Sequence, residues 1–584
     1  MFSFPISAKA FAALGMLACT ACVSVTSRPG EAEPPQAFYT VTAEIALSRH
    51  EARVAALEYA AAAETTADVA LLRRAAEVSA QCLQPTLTAG VAARWLGVDP
   101  AAADAHRAAG KAALELHQIE QSAAHYRVVL KSSPRGTDGE FAVLETELSG
   151  AGNLFGARQL ADLLAGYFPA SPAALRMQAF AALRADDPAA AVRIFEAALA
   201  AAGGPPAASA PDESSHAEES SRAEEEAARR ELMQGLWRAR ILAGDPTEPL
   251  AQARDLLDRV DTVENRLDYA LLLLAAQQTS AARAQLAMLT RDPGSGPLAL
   301  RLLGLVDYQD GRLDEASARF AELVTTGKFL DDALYYLGMI AERHQDLERA
   351  LRLYAEVQSG DNAVPALLRA ATILKTHGAA PAADELLDHL VTEAPQRAPE
   401  ILAARARIDA DSGDLTRAIA VLARAQAEYP DSVELRYAKA SLSEEHGQVA
   451  AALHELKTVA ALRPTDPAAL NAYGYTLADN RRQLPVARRL IERAHAAAPR
   501  NASILDSLGW VLFRQGHSEE ALPYLNAAYA DDHDGDVAAH LGEVLWQLGR
   551  RSDAERIWSD ANKAGSDNHL VNATRVRLHA SNSN

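Results

Sequence analysis

Leu508-Gly509-Trp510-Val511-Leu512-Phe513-Arg514-Gln515-Gly516 is the stretch of sequence that decides the fold, together with Ala521 just beyond it. Gly509 is followed twelve positions later by Ala521, and small residues at that spacing let two helices approach closely. Gly516 lies seven positions after Gly509 and predicts the end of the first helix, because glycine enters the left-handed cap conformation without strain. The stretch therefore predicts two closely packed helices joined by a glycine turn.

The same pattern recurs along the second half of the chain. The small residues of successive units are Gly304, Gly338, Ala371, Ala406, Ala440, Gly474, Gly509 and Gly542. The steps between them are 34, 33, 35, 34, 34, 35 and 33 residues, and a mean of about 34 is the period of the tetratricopeptide repeat, a helix-turn-helix unit. Glycines predicted to end first helices are Gly311, Gly378, Gly413, Gly447, Gly516 and Gly549, and prolines predicted to end second helices are Pro395, Pro430, Pro464 and Pro499.

These repeats predict an all-α fold, a right-handed superhelical solenoid of antiparallel helix pairs. The regular array of about eight repeats is predicted over residues 298–584. The pattern weakens upstream, where residues 38–202 and 231–297 are predicted to form divergent helical repeats. Some twelve to fourteen helix pairs are expected in all.

The N-terminus is typical of a bacterial lipoprotein. Residues 1–22 carry a single charge, Lys9, and an apolar stretch from Ala10 to Ala18 that is too short to span a bilayer. This predicts a signal peptide with a lipobox. Cys22, preceded by two small residues, is the preferred lipidation site, and Cys19 is the alternative. Residues 23–37 are then a flexible tether.

Residues 203–230 interrupt the repeats with an acidic segment. Seven acids and one basic residue, Arg222, lie between Asp212 and Glu226. Such a segment buries too little apolar surface to fold, so a disordered insertion is predicted. It serves either as a solvated linker or as a docking strip for a basic partner.

The composition and motifs argue against several functions. The formal net charge of −20 opposes binding to nucleic acid. No phosphate loop, no paired zinc cysteines beyond the leader and no nucleophile with its base are present, so we expect no enzyme activity, no cofactor, no metal and no small-molecule substrate. Asp531 to Asp536 lacks the oxygen ligands of a calcium loop at both ends and is interpreted as an acidic turn.

A solenoid of this kind binds proteins on the concave face formed by its first helices. Positions one, four and five after the small residue are expected to face that groove. They include Tyr308, Met339, Arg343, Arg407, Tyr475, Trp510, Phe513, Arg514 and Trp546. Exposed aromatic and arginine side chains concentrate binding energy, but an aromatic on a first helix can equally be packed between repeats.

Three features together resemble a known family. They are the lipobox, the opening from Ala43 to Arg49, and the closing motifs Leu505-Asp506-Ser507-Leu508-Gly509-Trp510 and Ala539-His540-Leu541-Gly542-Glu543-Val544-Leu545-Trp546. The chain is similar to the long tetratricopeptide lipoproteins of the proteobacterial outer membrane, among them the adaptor of a periplasmic carboxyl-terminal processing protease. The acidic insertion departs from that family.

The resemblance implies a lipid-anchored protein on the periplasmic face of the outer membrane, because neither Thr20 nor Val23 is the aspartate that retains lipoproteins in the inner membrane. It also implies a chain without activity of its own, which binds the protease and presents substrates such as peptidoglycan hydrolases. The alternatives are an assembly factor for a secretin, pilus or polysaccharide-export machine, and an enzyme with an unrecognised motif.

Overall fold

The computed structural model describes residues 36–202, 216–531, 533–564 and 569–581. These residues form 31 α-helices and one short 3-10 turn at Pro395–Arg397. The predicted signal peptide, Cys19 and Cys22 lie outside the described residues. The predicted all-α solenoid is confirmed.

Within each described stretch, the helices follow one another with short turns between them. The first half contains α1 (Gln36–Ser48), α2 (Ala52–Glu64), α3 (Val69–Gln81), α4 (Pro85–Val98), α5 (Ala103–Glu115), α6 (Ile119–Ser132), α7 (Gly136–Ser149), α8 (Leu154–Tyr167), α9 (Pro172–Arg184), α10 (Pro188–Ala201), α11 (His216–Leu242), α12 (Thr247–Arg259), α13 (Val263–Ala275) and α14 (Thr279–Leu289). The second half contains α15 (Gly296–Gln309), α16 (Leu313–Thr326), α17 (Leu330–Arg343), α18 (Leu347–Ala355), α19 (Ala363–Thr376), α20 (Ala380–Glu393), α21 (Ala398–Asp411), α22 (Leu415–Glu428), α23 (Val433–Glu445), α24 (Val449–Leu462), α25 (Pro467–Asp479), α26 (Leu484–Ala497), α27 (Ala502–Arg514), α28 (Ser518–Asp531), α29 (Gly535–Gln547), α30 (Arg551–Ala564) and α31 (His569–Ser581).

We call the odd-numbered helices A helices and the even-numbered ones B helices. In the second half each A helix packs on the B helix that follows it, and successive A helices also contact one another, as α21 does with α23 and α25 does with α27. Because the helices on the inner side of a curved stack lie closest together, the A helices form the concave groove of the superhelix. The first half departs from this pattern, because successive B helices also pack on each other there, as α2 does with α4 and α6 does with α8.

Close packing of glycine against a large side chain joins the two helices of many pairs. A Cβ added to Gly304 would lie 2.8 Å from Cζ of Phe320, sixteen residues further along the chain. The same separation relates Gly110 to Tyr126, Gly338 to Tyr354, Gly509 to Leu525 and Gly542 to Trp558. Each of these large side chains is at most 1% exposed, so the glycine provides the space that the large residue fills.

The turns inside the pairs are set by residues with positive φ. All six glycines predicted to end first helices have φ between +72° and +92°. The divergent repeats have a non-glycine residue with positive φ at this position, as at Leu83, His117 and Gln277. The turn geometry therefore continues where the glycine pattern fades.

The superhelix curves far enough for its N-terminal part to contact its middle. The backbone N–H of Arg53 donates to Glu428 Oε1 at 2.8 Å, and Gln84 Nε2 donates to the carbonyl oxygen of Glu428 at 2.8 Å. His117 Nε2 and Thr465 Oγ1 form a second contact at 2.7 Å. These contacts link residues more than 340 positions apart and fix the curvature of the solenoid.

Helix α11 begins at His216, so the second part of the segment predicted as the acidic insertion is helical, and residues 203–215 lie outside the described residues.

Cys82 is buried between α3 and α4, and burial together with the nearby Glu428 raises the pKa of its thiol to about 11. No helix in the described ranges is both long and apolar enough to cross a bilayer.

A pair of glycine substitutions tests the packing inside the repeats. Gly304→Ala is expected to destabilise its repeat by about 1–3 kcal/mol, because the new methyl group overlaps the Phe320 ring. The thermal midpoint by circular dichroism and hydrogen exchange of α15–α17 measure the effect. Gly90→Ala in α4 is the control, since no atom lies within 4 Å of its Cβ, and it is expected to stabilise by about 0.5–1 kcal/mol. Equal effects of the two substitutions would contradict the packing role.

Candidate functional site

Polar contacts between successive A helices run along the groove. Arg407 on α21 donates to Glu445 on α23 at 2.7 Å, and Glu342 on α17 accepts from Arg369 on α19 at 3.0 Å. Further pairs of this kind are Glu145–Arg176, Arg301–Asp332, Asp479–Arg514, Asp506–His540 and Glu543–Arg577. The partners lie one repeat apart in sequence, so these contacts hold neighbouring repeats in register.

The C-terminal part of the groove contains a group of polar and aromatic side chains that contact one another. We define the C-terminal cluster as Tyr475, Asp479, Asp506, Trp510, Arg514 and His540. Asp479 Oδ1 accepts from Trp510 Nε1 at 3.1 Å and from Arg514 Nη2 at 2.9 Å. The Arg514 guanidinium lies 4.2 Å from the centre of the Trp510 ring, and the His540 ring stacks on the indole at 3.9 Å. Tyr475 lies 6.0 Å from His540.

His540 is buried and paired with an acid. Its Nδ1 donates to Asp506 Oδ2 at 2.8 Å, and its side chain is 4% exposed. Burial alone lowers the pKa of His540, but the charge and hydrogen bond of Asp506, together with the charges of Asp479 and Asp536, raise this pKa above its ordinary value of 6.5. Protonation of His540 is therefore favoured relative to a free imidazole, and the imidazolium pairs with Asp506 beneath Trp510.

The remaining groove residues predicted from the sequence are distributed along the array. Arg343 is exposed, and its guanidinium lies 4.7 Å from the centre of the Tyr308 ring, while Met339 is half-buried against the core. Trp546 is half-buried and lies 4.7 Å from the His579 ring, and Phe513 stacks on Trp510 at 5.3 Å. The structure thus brings Tyr475, Trp510, Phe513 and Arg514 together, and it places Arg343 beside Tyr308 in an earlier part of the array.

The predicted residues differ in how much of their surface a partner can reach. Trp510 is only 3% exposed and is packed between repeats, which is the alternative that the sequence left open for aromatic residues on first helices. Tyr308, Met339, Phe513, Arg514 and Trp546 are partly exposed. Their role in partner binding stays a prediction.

The groove also contains a recess that the sequence analysis did not predict. It has a volume of about 690 Å³ and lies between α7, α9 and α11, in the divergent repeats. Arg176, Arg184 and Arg238 line it, together with Glu145 and Glu231. The repeat pattern is weak in this region, so no position could be assigned to the groove. Opposite charges one repeat apart, such as Glu145 and Arg176, are the signal that could have found it.

The described residues offer little for chemistry. They contain no group of three or more His, Cys, Asp or Glu that could hold a metal ion. The charged side chains of the C-terminal cluster bond to one another, and the groove presents side chains suited to contact with another protein. The arrangement supports binding.

Comparison with known families agrees with this geometry. Two tetratricopeptide-repeat models match the chain, one over residues 410–474 and the other over residues 308–365, 474–537 and 507–568. Residues 308–365 and 410–568 therefore contain tetratricopeptide repeats. The matches all lie within the array whose 34-residue period predicts this repeat.

The chain is similar to a curated protein of Pseudomonas aeruginosa, the TPR repeat-containing protein PA4667. The two are 36% identical over 214 residues, which cover 37% of this chain and 36% of the relative. The match therefore spans about a third of the relative's length.

Three solved structures are similar to this chain at low TM-scores. The TPR protein TTC0263 of Thermus thermophilus is 23% identical, with a TM-score of 0.27 over 31% of this chain and 97% of that one. Yeast Tom70 is 12% identical, with a TM-score of 0.31 over 94% and 96% of the two chains. The Naa15/Naa10 complex bound to HypK is 14% identical, with a TM-score of 0.32 over 93% and 99%.

The buried ion pair predicts how the stability of the tetratricopeptide array depends on pH. Because the folded state raises the pKa of His540, its contribution to stability is fully present below pH 6.5 and is lost as the pH rises through the folded pKa. Each unit of pKa shift corresponds to about 1.4 kcal/mol. Thermal unfolding at pH 6 and pH 9 measures this change, with hydrogen exchange of α27–α29 to localise it.

The control for this prediction is His540→Gln, which keeps a hydrogen-bond donor near Asp506 but does not titrate. We expect the variant to have a smaller fall in stability between the two pH values than the unmodified chain. The same fall in both proteins would show that other groups cause it.

Proposed function

We propose that this chain is a non-enzymatic scaffold of the cell envelope that binds a periplasmic carboxyl-terminal processing protease and presents substrates to it, peptidoglycan hydrolases among them. The observation that supports a binding role is the concave groove of A helices, which exposes aromatic and arginine side chains over many repeats. The protease and the hydrolases as partners come from the resemblance of the lipobox and the opening and closing motifs to the adaptor family.

An adaptor acts by holding two proteins together. Linking an enzyme and its substrate on one scaffold raises their effective concentration without any new chemistry. A groove that extends through the A helices of the array has room for more than one partner, and the ion pairs between A helices keep its shape. These properties support an adaptor that carries out no reaction itself.

The alternative is an assembly factor for an envelope machine such as a secretin, a pilus or a polysaccharide exporter. The same groove would then hold components of that machine. Recovery of secretin or export components from solubilised envelopes, in place of a periplasmic serine protease, would favour this alternative.

Reconstitution with purified proteins tests the adaptor role. Adding the chain to the protease is expected to accelerate degradation of a hydrolase substrate, followed by gel electrophoresis over time. Arg343→Glu should reduce this acceleration about three- to tenfold, because it reverses the charge of an exposed groove side chain beside Tyr308.

The matched control is Arg349→Glu, at an exposed arginine on B helix α18 outside the groove. It should leave the acceleration unchanged. An equal loss of acceleration in both variants would show that the groove is not the binding surface. If the unmodified chain does not accelerate degradation, the adaptor role is wrong.

Lipid anchoring is tested by replacing the two candidate cysteines. We propose that Cys22, or Cys19 in its place, carries the lipid that holds the protein at the outer membrane. Cys19→Ala combined with Cys22→Ala should move the protein into the soluble periplasmic fraction, as measured by fractionation and immunoblotting. The single variants identify the acylated residue, and membrane retention of the double variant would contradict the anchor.

A further inference from the structure

The recess in the divergent repeats is lined by both charged and apolar side chains. It lies at the C-terminal ends of A helices, since Arg184 is the last residue of α9 and Leu242 is the last residue of α11. Phe180, Leu183 and Leu242 supply its apolar surface, and Leu242 is 45% exposed. A volume of about 690 Å³ is within the range of sites that hold a ligand or a short peptide segment.

One arginine of the recess already has its partners. Arg176 Nη2 lies 3.0 Å from Glu145 Oε2, and Arg176 Nη1 lies 2.9 Å from Glu231 Oε2. Burial raises the pKa of Glu145, while Arg176 acts in the opposite direction. Both acids of the recess are therefore engaged by one arginine.

The other two arginines are without such partners. Among the described residues, neither Arg184 nor Arg238 forms an ion pair, and the buried Nε of Arg184 donates to no hydrogen-bond acceptor. Burial lowers the pKa of Arg184, which Glu145 opposes from a distance. A partly desolvated guanidinium gains most from a carboxylate that binds it directly.

We propose that this recess binds an extended acidic segment of a partner protein, with two carboxylate side chains on Arg184 and Arg238 and an apolar side chain between them against Phe180, Leu183 and Leu242. The proposal rests on the role of the chain as a protein-binding scaffold. It does not depend on the identity of the protease or of its substrates.

Acidic side chains suit the recess better than a free C-terminal carboxylate. The two arginines lie on different helices, α9 and α11, which contact each other, and packed helices lie about 8–10 Å apart. Two carboxylates on one extended segment can reach both arginines, whereas a chain end carries a single one. The groove also continues past the recess along further A helices, so the bound segment does not have to end there.

Charge complementarity supports this occupant. The chain has a formal net charge of −20, which would repel an acidic segment at most of its surface. The recess is a local exception, with three arginines against two glutamates. An acidic segment is therefore attracted to this part of the groove.

Fluorescence anisotropy with a synthetic peptide tests the proposal on the full mature chain. The probe is a fluorescein-labelled, C-terminally amidated peptide with the core Asp-Leu-Glu flanked by glycine and serine. We expect saturable binding that weakens with added salt. Replacing both acids of the peptide by amides, as Asn-Leu-Gln, should reduce its affinity at least about tenfold.

Variants of the protein test whether the peptide binds in the recess. Arg238→Gln changes an exposed side chain and should reduce affinity about tenfold without affecting folding, and Arg184→Gln should do the same. Arg193→Gln is the matched control, because Arg193 is an exposed arginine on α10 that contacts only its own helix. Circular dichroism checks that each variant is folded.

Three results would overturn the proposal. These are the absence of binding by the amidated acidic peptide, equal binding of the amide-substituted peptide, and equal loss with Arg193→Gln. If a peptide bound only when its C-terminus was free, the ligand of the recess would be a C-terminal carboxylate and not a pair of acidic side chains. A chain that binds the peptide but fails to stimulate the protease would retain this site and lose the adaptor role.

Discussion

The structure depends on the close approach of two helices at a residue without a side chain. In pair after pair, a glycine on the A helix faces a large residue sixteen positions further on, as Gly304 faces Phe320 and Gly542 faces Trp558. The large side chain fills the space that a Cβ would occupy and becomes fully buried. Because this contact sets the distance between the helices of a pair, it also sets how the next pair stacks, and the curvature of the groove follows from it.

The sequence predicts this part of the molecule well because each signal has a local cause. Gly311 and Gly413 have positive φ, and only glycine enters that region without strain, so the turns are visible in the sequence. Leu83, His117 and Gln277 adopt the same conformation without being glycine. Their side chains tolerate the strain because the packed helices on both sides impose the turn, and a residue pattern cannot show that. The divergent repeats therefore have the regular geometry without the regular sequence.

The groove could be predicted only in part. Trp510 and Arg514 follow from their positions in the repeat, but Asp479, which accepts from both, lies about one repeat earlier and had no local reason to be singled out. Contacts between residues still further apart in the sequence could not be predicted from any residue pattern. Glu428 accepts from the backbone of Arg53 across 375 positions, and only the accumulated curvature of some ten repeats brings these residues together.

The paired charges along the A helices also determine where the groove can bind. An arginine held by an acid of the next repeat, such as Arg407 with Glu445, has its charge compensated and offers little further binding energy to a partner. Binding of a charged segment therefore concentrates at positions where the pattern of pairs is incomplete. Arg184 and Arg238 are such positions, in the part of the chain where the sequence departs most from the regular repeat. Regular repeats thus build the shape of the groove, and the irregular ones give it chemical selectivity.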